Sequence, residues 1–100
     1  MAYETGALEA TFAAAAGGDP ELLAQLRQSY RESVSRQVDL LARSRCDGNW
    51  TLAATRLQGL AASFHSGDLH VLALEALDAA PGEPAVLRRL RDYLERFPDS

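Results

Sequence analysis

Apolar residues recur along nearly the whole chain at steps of three and four, and nowhere do they alternate as a half-buried strand requires, so every predicted element is a helix. Leu8, Phe12 and Ala15 or Ala16 form a short first stripe, ended by Gly17-Gly18. Asp19-Pro20 then reads as a helix start, an N-cap aspartate followed by proline at the first helical position. Leu23, Leu26, Tyr30, Val34, Val38 and Leu41 give the next helix one apolar face about six turns long, with Arg27, Arg31, Glu32, Arg36 and Asp39 on much of the remainder. Asp47-Gly48-Asn49 breaks the pattern and offers caps for a third helix, whose buried stripe is Trp50, Ala53, Ala54, Leu57, Leu60, Ala61 and Phe64. Gly67 is placed as its C-terminal stop and Asp68 as the N-cap of a fourth, carried by Leu69, Leu72, Ala73, Ala76 and Leu77. After the interruption at Pro81-Gly82-Glu83-Pro84, Leu87, Leu90, Leu94 and Phe97 line a last helix that starts at Pro84. Short connections make successive helices antiparallel neighbours. The predicted architecture is therefore all-α: an antiparallel up-and-down four-helix bundle with a short extra N-terminal helix, one domain over residues 1–100.

Composition narrows the function classes. A net charge of −4 argues against nucleic acid as the default partner. No apolar run approaches the roughly 20 residues of a bilayer span, and Met1-Ala2-Tyr3-Glu4 lacks the basic start and apolar core of a signal peptide. The single cysteine, Cys46, excludes an internal disulfide and fits a reducing, cytoplasmic setting. All ten basic residues are arginine, and only Arg88, Arg89 and Arg91 cluster, on what reads as the solvated face of the last helix.

The third helix carries the one motif with chemical content, Thr55-Arg56-Leu57-Gln58-Gly59 followed by small residues. It resembles the core of histidine-containing phosphotransfer (HPt) domains, which reads His-x-Leu-Lys-Gly. Leu57 and Gly59 match. Thr55 stands at the histidine position and Gln58 at the lysine position. Gly18-Asp19-Pro20-Glu21-Leu22-Leu23 is similar to the entry of the family's second helix, Trp50 to the aromatic that begins its phosphorylated helix, and Leu69, Leu72 and Glu75 to the spacing of the helix after it, so the resemblance covers nearly the whole chain. It implies a helical bundle of two-component signalling whose partners are receiver domains of response regulators and sensor histidine kinases.

The two departures remove the chemistry. A relay histidine works because imidazole is nucleophilic at neutral pH and its phosphoramidate is labile. A threonine hydroxyl is not ionised at pH 7, and a threonine phosphoester would be an end point. Gln58 offers a neutral amide where the family has a cation for phosphate. The chain is therefore expected to be a pseudo-phosphotransfer domain, not an enzyme, with no cofactor and no metal. At about 100° per residue, Thr55 and Gly59 point nearly opposite Leu57, with Leu52, Ala62, Ser63 and Ser66 on the same outward side. That stripe is read as small, weakly polar and free of charge. The candidate docking residues are Leu52, Thr55, Arg56, Gln58, Gly59, Ala62 and Ser63, since the family uses this face for the receiver domain. The packing alternative is a helix hemmed in on most sides, where small residues only permit close approach.

His65 follows Thr55 by ten residues, about 15 Å along a helix, and His70 belongs to the next helix; both read as surface or boundary residues, and their spacing does not suit a metal pair. Glu75 and Asp78 read as solvated positions. Two rivals to the docking reading stand: a true phosphorelay domain, or a domain excised from a sensor kinase, whose acceptor histidine at position 55 has been replaced, and a helical dimerisation or scaffolding module unrelated to phosphorelay.

Overall fold

Helix starts in this chain are set by local chemistry. Asp19, in extended backbone, accepts hydrogen bonds from the amides of Glu21 and Leu22 while Pro20 occupies the first turn, where its missing N–H costs nothing. The same device recurs at Glu83-Pro84, with the Glu83 carboxylate accepting from the Ala85 amide. The structure, a computed structural model, describes residues 2–97, with side chains from residue 6 onward; the side chains of Met1-Ala2-Tyr3-Glu4, on which the signal-peptide expectation rests, lie outside the described ones. Five helices follow in order: α1 (Ala2–Ala16), α2 (Pro20–Arg43), α3 (Asp47–Phe64), α4 (Gly67–Asp78) and α5 (Pro84–Arg96). Among the described residues there is no strand, and no helix is long and apolar enough to cross a membrane.

Three boundaries differ from expectation. The leading helix is not short: at 15 residues α1 exceeds α4 and α5, with 12 and 13, because its alanines favour helix without needing burial. Leu8, Phe12 and Ala16 are its buried stripe, and Ala15 is exposed. Asp47-Gly48-Asn49 is not a cap but the first turn of α3, whose N-cap, Cys46, makes no side-chain capping bond. Between α3 and α4 the stop is His65, in left-handed backbone at φ 60°, and the N-cap of α4 is Ser66, whose hydroxyl accepts from the Leu69 amide. Gly67 and Asp68 are already helical.

The apolar stripes meet in one core that includes Tyr30, Val34, Leu41, Trp50, Leu57, Leu69 and Leu90. Each fully buried side chain of this size contributes about 1.5–3 kcal/mol over its exposed state. Val86 and Tyr93 on α5 are buried as well, beyond the expected stripe. Helix α2 packs on α3, α3 on α4, α4 on α5 and α5 back on α2, while α1 lies across α2 and touches α3. Tyr30 in the first half of α2 meets Phe64 at the end of α3 and Phe97 just after α5, and Phe12 of α1 joins all three rings. At the opposite end, the Trp50 indole N–H donates to the carbonyl of Ala76 at 2.7 Å, which also accepts from the Ala79 amide that caps the end of α4.

Polar ties fix the register. The hydroxyls of Tyr30 and Tyr93 lie 2.8 Å apart and that of Ser66 lies 3.0 Å from Tyr93, a buried chain linking α2, α5 and the start of α4. Arg27 pairs with Glu9 between α2 and α1, and Arg89 with Glu75 between α5 and α4 at 2.9 Å. Glu75 is therefore an interhelical ion-pair partner instead of a merely solvated position, and Arg89 does not stand free in the arginine cluster.

Candidate functional site

The central turns of α3 turn Ala53, Ala54, Leu57 and Ala61 inward. The helical repeat then sets Thr55 and Gly59 outward. Leu57 is 0% exposed, while Leu52, Thr55, Arg56, Gly59, Ala62 and Ser63 are all exposed and Gln58 is half-buried. All seven candidate docking residues thus fall on one side of α3, and that side is open. The packing alternative does not hold for it. A Cβ built on Gly59 would meet nothing within 4 Å, so no neighbour among the described residues requires glycine there. Ser66 is the exception to the predicted stripe. The chain leaves the α3 axis at His65, and Ser66 is buried as the N-cap of α4.

Nor is the face free of charge. Arg56 stands beside Thr55, and α2 supplies more. Between α2 and α3 lies a hollow lined by Ser33, Arg36, Gln37, Arg56, Gly59 and Ser63, among others. A second hollow, lined by Leu40, Arg43, Asn49, Leu52 and Arg56 among others, opens on the far side of Arg56. Neither has a carboxylate in its lining. Arg43 pairs with Asp39 at 3.0 Å in an open i,i+4 contact. Arg36 and Arg56 make no ion pair among the described residues. The buried side-chain oxygen of Gln37 has no hydrogen-bond partner among them either. The wheel of α3 alone could not reveal Arg36, Leu40 and Arg43. The available signal was in α2, where Leu40 is a large apolar residue off the buried stripe, flanked by arginines at steps of four and three.

The remaining chemical candidates are accounted for structurally. The Thr11 hydroxyl lies 3.0 Å from the Ala7 carbonyl, to which it can donate, and 3.0 Å from His65 Nδ1. His65 thereby ties the α3–α4 turn to α1. His70 is half-buried in the first turns of α4. Cys46 is an exposed free thiol. No group of three or more His, Cys, Asp or Glu side chains among the described residues could hold a metal ion. At Thr55 itself no general base lies in hydrogen-bond contact among the described residues. No family model matches the chain, and no curated protein or solved structure is significantly similar to it.

Proposed function

We propose that this chain is an HPt-like domain that docks a receiver domain, or alternatively a histidine kinase or effector of the same signalling class, and does not carry phosphate. The observation that carries the reading is Gly59. It lies inside α3 on an exposed face, with open space where a Cβ would be. A glycine in a helix interior costs about 0.5–1 kcal/mol relative to alanine, and no close packing among the described residues offsets that cost at Gly59. A partner that approaches the α3 backbone closely accounts for it. Thr55, Ala62 and Ser63 keep the same strip low.

The proposed architecture behind the site is the antiparallel up-and-down bundle of α2 to α5, with α1 laid against it. In support, the aromatic contacts gather the first half of α2, the end of α3 and the end of α5 at one end, and Trp50 joins the start of α3 to the end of α4 at the other.

Gly59→Arg tests the reading. The residue is exposed and unobstructed, so the variant should fold with a near-native melting transition. It should bind a receiver domain at least tenfold more weakly, about 1.4 kcal/mol, because a long side chain would hold apart two surfaces that glycine lets meet. Arg88→Ala, on α5, should bind normally. In parallel, the native chain incubated with a labelled phospho-receiver should acquire no acid-labile label. Normal binding by Gly59→Arg, or label at His65 or His70, would sink the proposal.

A further inference from the structure

The two hollows lie between the same two helices with Arg56 in the lining of both, and together they are called the α2–α3 groove. On α2, Arg36, Leu40 and Arg43 follow at steps of four and three; on α3, Leu52, Arg56, Gly59 and Ser63 follow at four, three and four. The α3 row is about 16 Å long, three turns of a helix. Leu40 and Leu52, which both line the hollow at the α2 C-terminal end, are 37% and 49% exposed, an apolar patch left uncovered among the described residues. Its charge runs against that of the whole chain: the net charge is −4, yet no carboxylate lines the groove, and Arg36 and Arg56 are without ion pairs among the described residues.

These features select an occupant. With no strand among the described residues, there is no exposed sheet edge for an extended peptide to join. Apolar anchors at helical spacing between charged rims suit a helix laid in a groove. Its charge must be opposite to that of the rims, because an arginine side chain desolvated without a carboxylate is costly. We propose that the α2–α3 groove binds an acidic amphipathic helix of a partner protein, with apolar side chains over Leu40 and Leu52 and carboxylates on Arg36 and Arg56. The proposal rests on reading the outer side of α3 as a docking surface, and it adds the groove beside that strip and the chemistry of what fills it.

The probe is a capped, alanine-based helical peptide about four turns long, with leucines at helical spacing flanked by glutamates; its control carries glutamines instead. Titrated into the isotopically labelled protein, the glutamate peptide should shift amide resonances along α2 and α3 on both sides of Arg56. The glutamine peptide should bind at least tenfold more weakly. Arg36→Glu combined with Arg56→Glu should reduce affinity for the glutamate peptide at least tenfold, Arg36→Gln with Arg56→Gln should reduce it less, and Arg88→Glu should leave it unchanged. Affinity should also fall as salt rises, since the pairs at the rim are screened. Equal binding of the two peptides, indifference to the double reversal, or shifts confined to other helices overturns the proposal. So does light scattering that shows a dimer abolished by the double reversal, which would make a second copy the occupant. A peptide seated in the groove with no receiver domain binding upholds the groove and removes the phosphorelay reading. A receiver domain that binds through Gly59 with no response to salt or to the double reversal does the opposite.

Discussion

Ser66 follows Ser63 by three residues, a spacing that on a continuous helix puts both on one face; the backbone turn at His65 instead carries Ser66 into the core. There its hydroxyl both caps α4 and meets Tyr93, which in turn meets Tyr30. Buried hydroxyls held in such a chain polarise one another, and each removed bond costs about 1–2 kcal/mol. Tyr93→Phe should therefore lower stability by about that amount in urea denaturation. Combined with Tyr30→Phe it should cost less than the sum of the two single changes, because both remove the same contact. Strict additivity would show that the hydroxyls act independently. None of this was visible in the chain, since Tyr30 and Tyr93 are 63 residues apart. Serine is a preferred N-cap and Asp68 suits a first turn, but Gly67 and Asp68 offer a competing stop and cap one and two residues later, and the chain alone does not choose between them.

Helix α3 shows what a single element's periodicity does and does not determine. Leu57 in and Thr55 out follow from 3.6 residues per turn, and the structure has both. Whether the outward side faced water or another helix depends on neighbours, which a wheel does not contain, and so does the charge that Arg36 lends it from α2. The openness of that side sets the cost of altering it. Thr55→His with Gln58→Lys, one exposed position and one half-buried, should change stability by no more than about 1 kcal/mol, measured by thermal melting. If the HPt-like reading holds, this variant, unlike the native chain, should acquire acid-labile label from a phospho-receiver. Gly59→Ala should raise stability by about 0.5–1 kcal/mol; a fall would mean that the space around Gly59 is not free.

At the scale of the molecule the helices close a circuit from α2 through α3, α4 and α5 back to α2. The number and order of the helices were legible because each carries its own apolar stripe, and the starts of α2 and α5 because each has an acidic cap followed by proline. The length of α1 was not, because alanine extends a helix without leaving a buried pattern. The links of the circuit are unequal in a way that concerns time and not only structure. Helices α3 and α4 share the largest interface and are joined by two residues, His65 and Ser66, whereas the contact of α2 with α5 spans most of the chain. Loop closure favours the near contact. A folding nucleus built on the α3–α4 hairpin, with α5 reaching α2 after the rate-limiting step, is the resulting hypothesis. In stopped-flow chevrons, Ala73→Gly in the hairpin should slow folding, while Tyr93→Phe should mainly speed unfolding. If Tyr93→Phe slows folding as much as it destabilises the protein, the circuit closes before the barrier. On the hairpin-first order, the lifetime of the native state is governed by the buried hydroxyl chain that α5 brings to α2, and not by the hairpin that folds first.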